Sequence, residues 1–158
     1  MALDPSFVGR SYPAAGFYQV GREEIREFAE AIGDDDALYR DPDAARACGY
    51  SDVIAPPTFA IILSLRAQDA LFCDPDLGLD YSRMVHGDQS FTHHRPIRAG
   101  DELATTLHID GVRIMGGNDL LTVRCEITDG AGAPVTTARS MLVVRGSNLP
   151  DPEGDQDR

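Results

Sequence analysis

Residues 56–72, PPTFAIILSLRAQDALF, constrain this chain more than any other segment. They are apolar on nearly every side, and a helix of that kind is normally buried over most of its surface. The paired prolines suit its start, because a first helical turn has no use for the N–H that proline lacks. Strand signals fill the rest of the chain as far as Arg145. Met84 to Ile97 alternates loosely and stops at Pro96; Leu103, Thr105, Leu107 and Ile109 alternate with polar neighbours, as do Leu121, Val123, Cys125 and Ile127. MGGND between these two runs is a hairpin turn, and DGAGAP at 129–134 is a second turn leading into Val135 to Arg145. One apolar helix and then long antiparallel strands describe an α+β domain, a sheet wrapped around a helix.

The N-terminal third is more polar. Phe17 to Val20 is a short β-prone piece. GREEIREFAEAIGD then sets Ile25, Phe28, Ala29 and Ile32 on one helical face, and Gly33 comes next as a C′ glycine. The segment after it is rich in turns, with one short helix expected beyond Asp41. At 158 residues there is material for one domain with a proper core. Residues 1–146 read as that domain, and 147–158, acidic and rich in Pro and Gly, read as a disordered tail.

Charge excludes several functions. The net charge is −12, the wrong sign for nucleic acid or an anionic membrane. All 14 basic residues are arginine, so no lysine is present to form a Schiff base or to grip a phosphate in a P-loop. The N-terminus does not resemble a signal peptide, and the stretch from Ile54 to Leu65 is too short and proline-broken to span a bilayer. Cys48, Cys73 and Cys125 are odd in number and scattered, and read as small core residues of a cytoplasmic protein.

Two stretches resemble the MaoC-like (3R)-hydroxyacyl-thioester dehydratases, the group that includes FAS1-like dehydratase domains. The family's motif runs Gly-Asp-x-Asn-Pro-aliphatic-His, then Asp, a small residue and an aromatic. Here it reads Gly33-Asp34-Asp35-Asp36-Ala37-Leu38-Tyr39, then Asp41, Ala45 and Tyr50. Ile54-Ala55-Pro56-Pro57-Thr58-Phe59 is similar to the family's Ala-His/Pro-Gly-Met at the start of its central helix, and HRPIRAGDEL (94–103) to its strand-to-turn segment.

That resemblance, over residues 5–145, implies a hotdog fold, a long central helix wrapped by a five- or six-stranded antiparallel sheet. It also implies a dimer, paired with itself or with a sister subunit. Elimination of water from a 3-hydroxyacyl thioester needs a base for the α-proton and an acid for the departing hydroxyl, which are His and Asp in the family. The enolate oxygen is held by N–H groups at the start of the central helix. This chain has Tyr39 at the histidine position and Pro57, without an N–H, at the glycine position. Asp34 remains. Base and oxyanion donor are both altered, on independent segments, which points to a site relieved of the elimination.

By the same resemblance the chain is the substrate-binding subunit of an acyl-ACP or acyl-CoA dehydratase of fatty-acid metabolism. It would cradle the acyl chain with Pro57, Thr58, Phe59, Ile62 and Leu63, and a partner would carry the Asp/His pair. Two alternatives stay open: a self-sufficient hydratase using Asp34 with a substitute base, His86 first and His94 second, or an acyl-thioesterase. Each residue has an ordinary role as well. Asp34 after a helix-ending glycine is a turn former, Tyr39 a packed tyrosine, and Asp35 and Asp36 solvated charge. His86, Asp88, His93 and His94 lack ligand spacing, so neither a metal nor a cofactor is expected. Arg95, Arg98, Arg113, Arg139 and Arg145 form either a patch for an acidic carrier or ordinary strand-face charge.

Overall fold

The computed structural model describes residues 3–145; the tail expected over 147–158 lies outside them. Within these residues the order is β1 (Ser11–Tyr12), β2 (Tyr18–Gln19), α1 (Arg22–Ala31), α2 (Pro42–Ala47), α3 (Ile61–Phe72), β3 (Met84–His93), β4 (Glu102–Met115), β5 (Asn118–Asp129) and β6 (Pro134–Val144). A 3-10 turn at Pro57–Ala60 runs directly into α3, so the central helix does begin at the proline pair.

The strands make one antiparallel six-stranded sheet in the order β1-β4-β5-β6-β3, with β2 also on β4. Its two long hairpins are dictated by their turns. Gly116 and Gly117 have φ of +59° and +80°, the left-handed pair that a two-residue turn between Met115 and Asn118 requires. Asp129 Oδ1 accepts from Ala131 N and Ala133 N at 3.0 and 2.9 Å and so shapes the second turn. Leu107, Cys125 and Ala138 stand opposite one another across β4, β5 and β6, all buried. This inner row packs beneath α3 as the hotdog arrangement demands.

Two apolar clusters result. One gathers Ile25, Val53, Phe59, Leu63, Leu103 and Val135 around the start of the central helix, and the other gathers Leu71, Leu107, Leu121, Val123 and Leu142 around its end.

Several expectations need correction. Helix α3 is buried at Leu63, Ser64, Gln68 and Leu71 but exposes Leu65, Arg66 and Asp69, so one side of it faces outward. Two of its buried residues are polar and satisfy each other: Gln68 Nε2 donates to Ser64 Oγ and Ser140 Oγ, both at 3.4 Å. Ile32, placed on the core face, is 49% exposed because it is the C-cap of α1, where the helical stripe ends. Cys125 is a core residue, its thiol pushed up to about 11 by burial, but Cys48 and Cys73 are exposed. Strand β1 has no counterpart in the sequence pattern, since two residues carry no period.

Candidate functional site

Helix α1 ends in a Schellman motif. Gly33, at φ +72°, donates to Glu30 O at 3.1 Å and Asp34 N donates to Ala29 O at 2.9 Å. The backbone of Asp34 is thereby fixed relative to the helix. Its side chain turns locally, with Oδ1 accepting from Asp36 N at 3.2 Å. Asp36 is not merely solvated charge: its Oδ1 accepts from Leu38 N at 2.9 Å and caps the 3-10 turn that carries Tyr39. Asp35 holds Arg40, whose Nη2 also donates to Asp34 O.

Three segments are then stitched together. Ile54 N donates to Leu38 O (3.1 Å), Ala55 N to Ile97 O (2.7 Å) and Ala99 N to Val53 O (3.0 Å). Between them opens a cavity of about 340 Å³ lined by Tyr39, by Ile54 to Pro57 and by His93 to Ile97. The two altered motif positions, Tyr39 and Pro57, thus meet in one largely apolar pocket at the start of the central helix. Burial first, then the charges of Asp34 and Asp36, push the Tyr39 phenol up from its ordinary value.

The pocket holds two imidazoles. His93 Nδ1 lies 3.0 Å from Thr136 Oγ1 and its ring stacks on Phe91 at 6.0 Å; His94 Nε2 lies 3.5 Å from Thr137 Oγ1. Both hydrogen-bond to threonines, and neither is bonded to Asp34. Arg95 contributes its stem, while its guanidinium is tied to Asp101 by two bonds of 2.8 and 3.1 Å; Asp101 in turn accepts from Arg98 N at 3.0 Å. Asp101 is only 8% exposed. This pair braces the turn between β3 and β4, and with it one wall of the pocket.

His86, the first choice for a substitute base, stands at the other end of β3, exposed and opposite Leu142. Seven residues of strand, roughly 20 Å, separate it from His93. The structure brings together Tyr39, Pro57 and His94, and leaves His86 apart. His93, weighed with the other histidines but not ranked as a substitute base, joins them; its signal is position, at the last residues of a strand stopped by Pro96.

The residues expected to cradle an acyl chain are dispersed. Pro57 lines the pocket, and Thr58 is exposed beside it. Phe59 is fully buried, edge-to-face on Phe28 at 5.4 Å, and Ile62 is half-buried against the same cluster. Leu63 reaches a second cavity, a groove of about 710 Å³ along the outer side of α3. The five arginines are spread out: Arg95 and Arg98 serve Asp101 at one end of the sheet, Arg113 and Arg145 lie near the other, and Arg139 stands exposed between them, opposite Ser90 and Arg124. Among the described residues no three His, Cys, Asp or Glu side chains gather as metal ligands would, and no helix is long and apolar enough to cross a membrane.

Known proteins share this geometry. Residues 6–138 match the family model described as FAS1-like, dehydratase domain region. A UPF0336 protein of Saccharopolyspora erythraea is 62% identical over 155 residues, covering 98% of this chain and 99% of that protein. A chain of the C-terminally truncated HadBC (3R-hydroxyacyl-ACP dehydratase) complex from Mycobacterium tuberculosis superposes with a TM-score of 0.81 at 31% identity, covering 90% of this chain and 99% of that one. A MaoC-like dehydratase superposes with a TM-score of 0.85 at 34% identity over 93% of this chain. This chain spans only 45% of that protein's length.

Proposed function

Because the chain belongs to the family of FAS1-like dehydratase domains, we propose that it is the acyl-binding subunit of a (3R)-hydroxyacyl-thioester dehydratase of fatty-acid biosynthesis. It acts in the cytoplasm beside a second hotdog subunit that carries the catalytic Asp/His pair. The observation that carries this reading is the meeting of Tyr39 and Pro57 in one pocket. A phenol pushed above its ordinary value of about 10 is a poor base at neutral pH. Proline at the helix start has no N–H for an enolate. Together the two changes leave a pocket that holds an acyl group and lacks both the base and the oxyanion donor of the elimination.

Two similarities support the partner. One relative is a complex of hotdog dehydratase subunits, and another is a single chain more than twice as long as the matched region. Among the described residues Arg95 and Arg98 are held by Asp101 at one end of the sheet while Arg113 and Arg145 lie near the other, so these four do not form one landing site for an acidic carrier protein, and docking of acyl-ACP falls to the partner. Acyl-CoA is the alternative substrate, delivered without a carrier.

The test is hydration of a crotonyl thioester, monitored as loss of enoyl absorbance, with the chain alone and with its co-purified partner. Turnover only in the presence of the partner is expected. Robust turnover by the chain alone at neutral pH, abolished by Asp34→Asn, would overturn the proposal. A second reading, a self-sufficient hydratase, draws on the two imidazoles in the pocket. It requires that His93→Gln or His94→Gln abolish activity of the chain alone.

A further inference from the structure

The groove beside the central helix has features that thioester binding in the first pocket does not use. Its floor is formed by Leu63 and Leu103, 2% and 1% exposed, with the half-buried Ala67, and the polar Gln19, Glu24 and Thr105 line it as well. Its far wall is the turn Ala14 to Gly16 and the segment after it, where Phe17 is 59% exposed. Over its rim stands Arg66, with its guanidinium carbon 4.8 Å from the centroid of the Tyr18 ring.

Arg22, Arg26 and Arg95 each hold a carboxylate. Arg66 holds none among the described residues; its one close partner is the tyrosine face. Glu24 also lines the groove, but its carboxylate is folded back over Gly21, so closely that an added Cβ there would come 2.1 Å from Oε2. Its charge still acts on the Tyr18 hydroxyl, as that of Arg66 does, but among the described residues no ion pair joins Glu24 to Arg66. What remains is a guanidinium positioned by a ring, above a groove with both apolar and polar walls whose volume of about 710 Å³ falls in the range of small-molecule sites.

The geometry points to a second ligand site here, for an unesterified fatty acid, its carboxylate on Arg66 and its alkyl chain over Leu63, Ala67 and Leu103. The planar fork of arginine matches a carboxylate with two parallel N–H···O bonds. Each methylene taken from water into the trough adds about fourfold in affinity. Thioester hydrolysis is the class of reaction that supplies such a ligand. The inference stands apart from the accessory-subunit reading, because binding at this groove requires neither a partner nor turnover.

The experiment is calorimetric titration of the full chain, without any partner, with dodecanoate, dodecyl phosphate and dodecanol. Dodecanoate is expected to bind at least about tenfold more tightly than dodecanol, the contribution of a charge-assisted pair. In Arg66→Met dodecanoate should fall to the level of dodecanol, whose own binding stays unchanged. Glu24→Gln, removing the nearby negative charge, should tighten dodecanoate. Arg66 is exposed and its one close contact is the Tyr18 ring, so Arg66→Met should lower the melting temperature by no more than about a few degrees. Equal binding of dodecanoate and dodecanol, or dodecanoate binding untouched in a folded Arg66→Met, overturns the site. Tighter binding of dodecyl phosphate than of dodecanoate overturns the carboxylate assignment.

Discussion

The Tyr39 hydroxyl stays protonated for two reasons, its burial and the negative charges of Asp34 and Asp36. A protonated phenol can donate a hydrogen bond but not take up a proton, so on the proposed reading Tyr39 serves binding and not proton transfer. Tyr39→Phe in the assembled enzyme is therefore expected to raise KM while kcat changes by no more than about twofold; a general base would cost on the order of a hundredfold or more in kcat. Steady-state kinetics of the complex separates the two. A different tyrosine governs stability. Tyr12 Oη donates to Asp74 Oδ2 at 2.6 Å, and Arg10 Nη1 reaches the same oxygen at 2.6 Å. Burial, then the bond to Asp74, pushes Tyr12 up to about 12, and the bond from Tyr12 heads the causes that hold Asp74 below its ordinary 3.8. A raised acid contributes fully below its unfolded value near 10 and loses that contribution as pH rises through 12. A lowered one contributes above 3.8 and loses it as pH falls further. The clamp between β1 and the end of α3 should thus weaken at both extremes. Urea unfolding across pH should show an alkaline decline that Tyr12→Phe makes smaller, the rest coming from the other raised groups, Tyr18, Tyr39 and Cys125, while the acid decline persists through Arg10 and Asp74.

At the scale of elements, helix α1 is readable to its last turn because every signal agrees: apolar spacing at Ile25, Phe28 and Ala29, and a glycine beyond. Gly33 is left-handed at φ +72° with open space around its Cβ position, so the cost of Gly33→Ala is conformational, about 1 kcal/mol. Thermal unfolding should show a loss of several degrees with the folded spectrum retained; an unchanged melting temperature would mean that the Schellman turn does not fix Asp34. The strands β4, β5 and β6 are legible in the same way, from alternation and turn glycines. What the residues do not disclose depends on long-range placement. The outward side of α3 is invisible in an all-apolar sequence, because Leu65 at 44% exposed and Leu63 at 2% are the same residue type. His93 and His86 lie on one strand, and only the segment 53–57 folding against its far end decides which belongs to the pocket. The resemblance in the motif located Asp34, Tyr39 and Pro57; the Arg95–Asp101 brace and the groove under Arg66 depend on contacts between segments that the motif does not connect.

For the whole molecule, the decisive features are an open sheet edge and a large negative charge. The other edge is covered in part, since β1 and β2 lie on Leu107–His108 and Glu102–Leu103 of β4, but β3 has β6 as its one neighbour among the described residues. It is ten residues long, mostly exposed, and interrupted by a register shift between His86 and Asp88. A long exposed edge invites another strand, and side-by-side pairing of two hotdog sheets would satisfy it. Two copies of this chain would together carry twice −12, and their repulsion opposes that pairing at low ionic strength. A sister subunit of less negative charge meets no such penalty. Salt therefore distinguishes the two assemblies, because the screening length shrinks from about 10 Å at 0.1 M to about 3 Å at 1 M. Sedimentation of the isolated chain should show self-association that strengthens between those concentrations, and the complex with a catalytic subunit should be formed already at the lower one. A homodimer equally tight at both would remove the electrostatic reason for a partner, and the pocket at Tyr39 and Pro57 would then have to be explained within an assembly of identical chains.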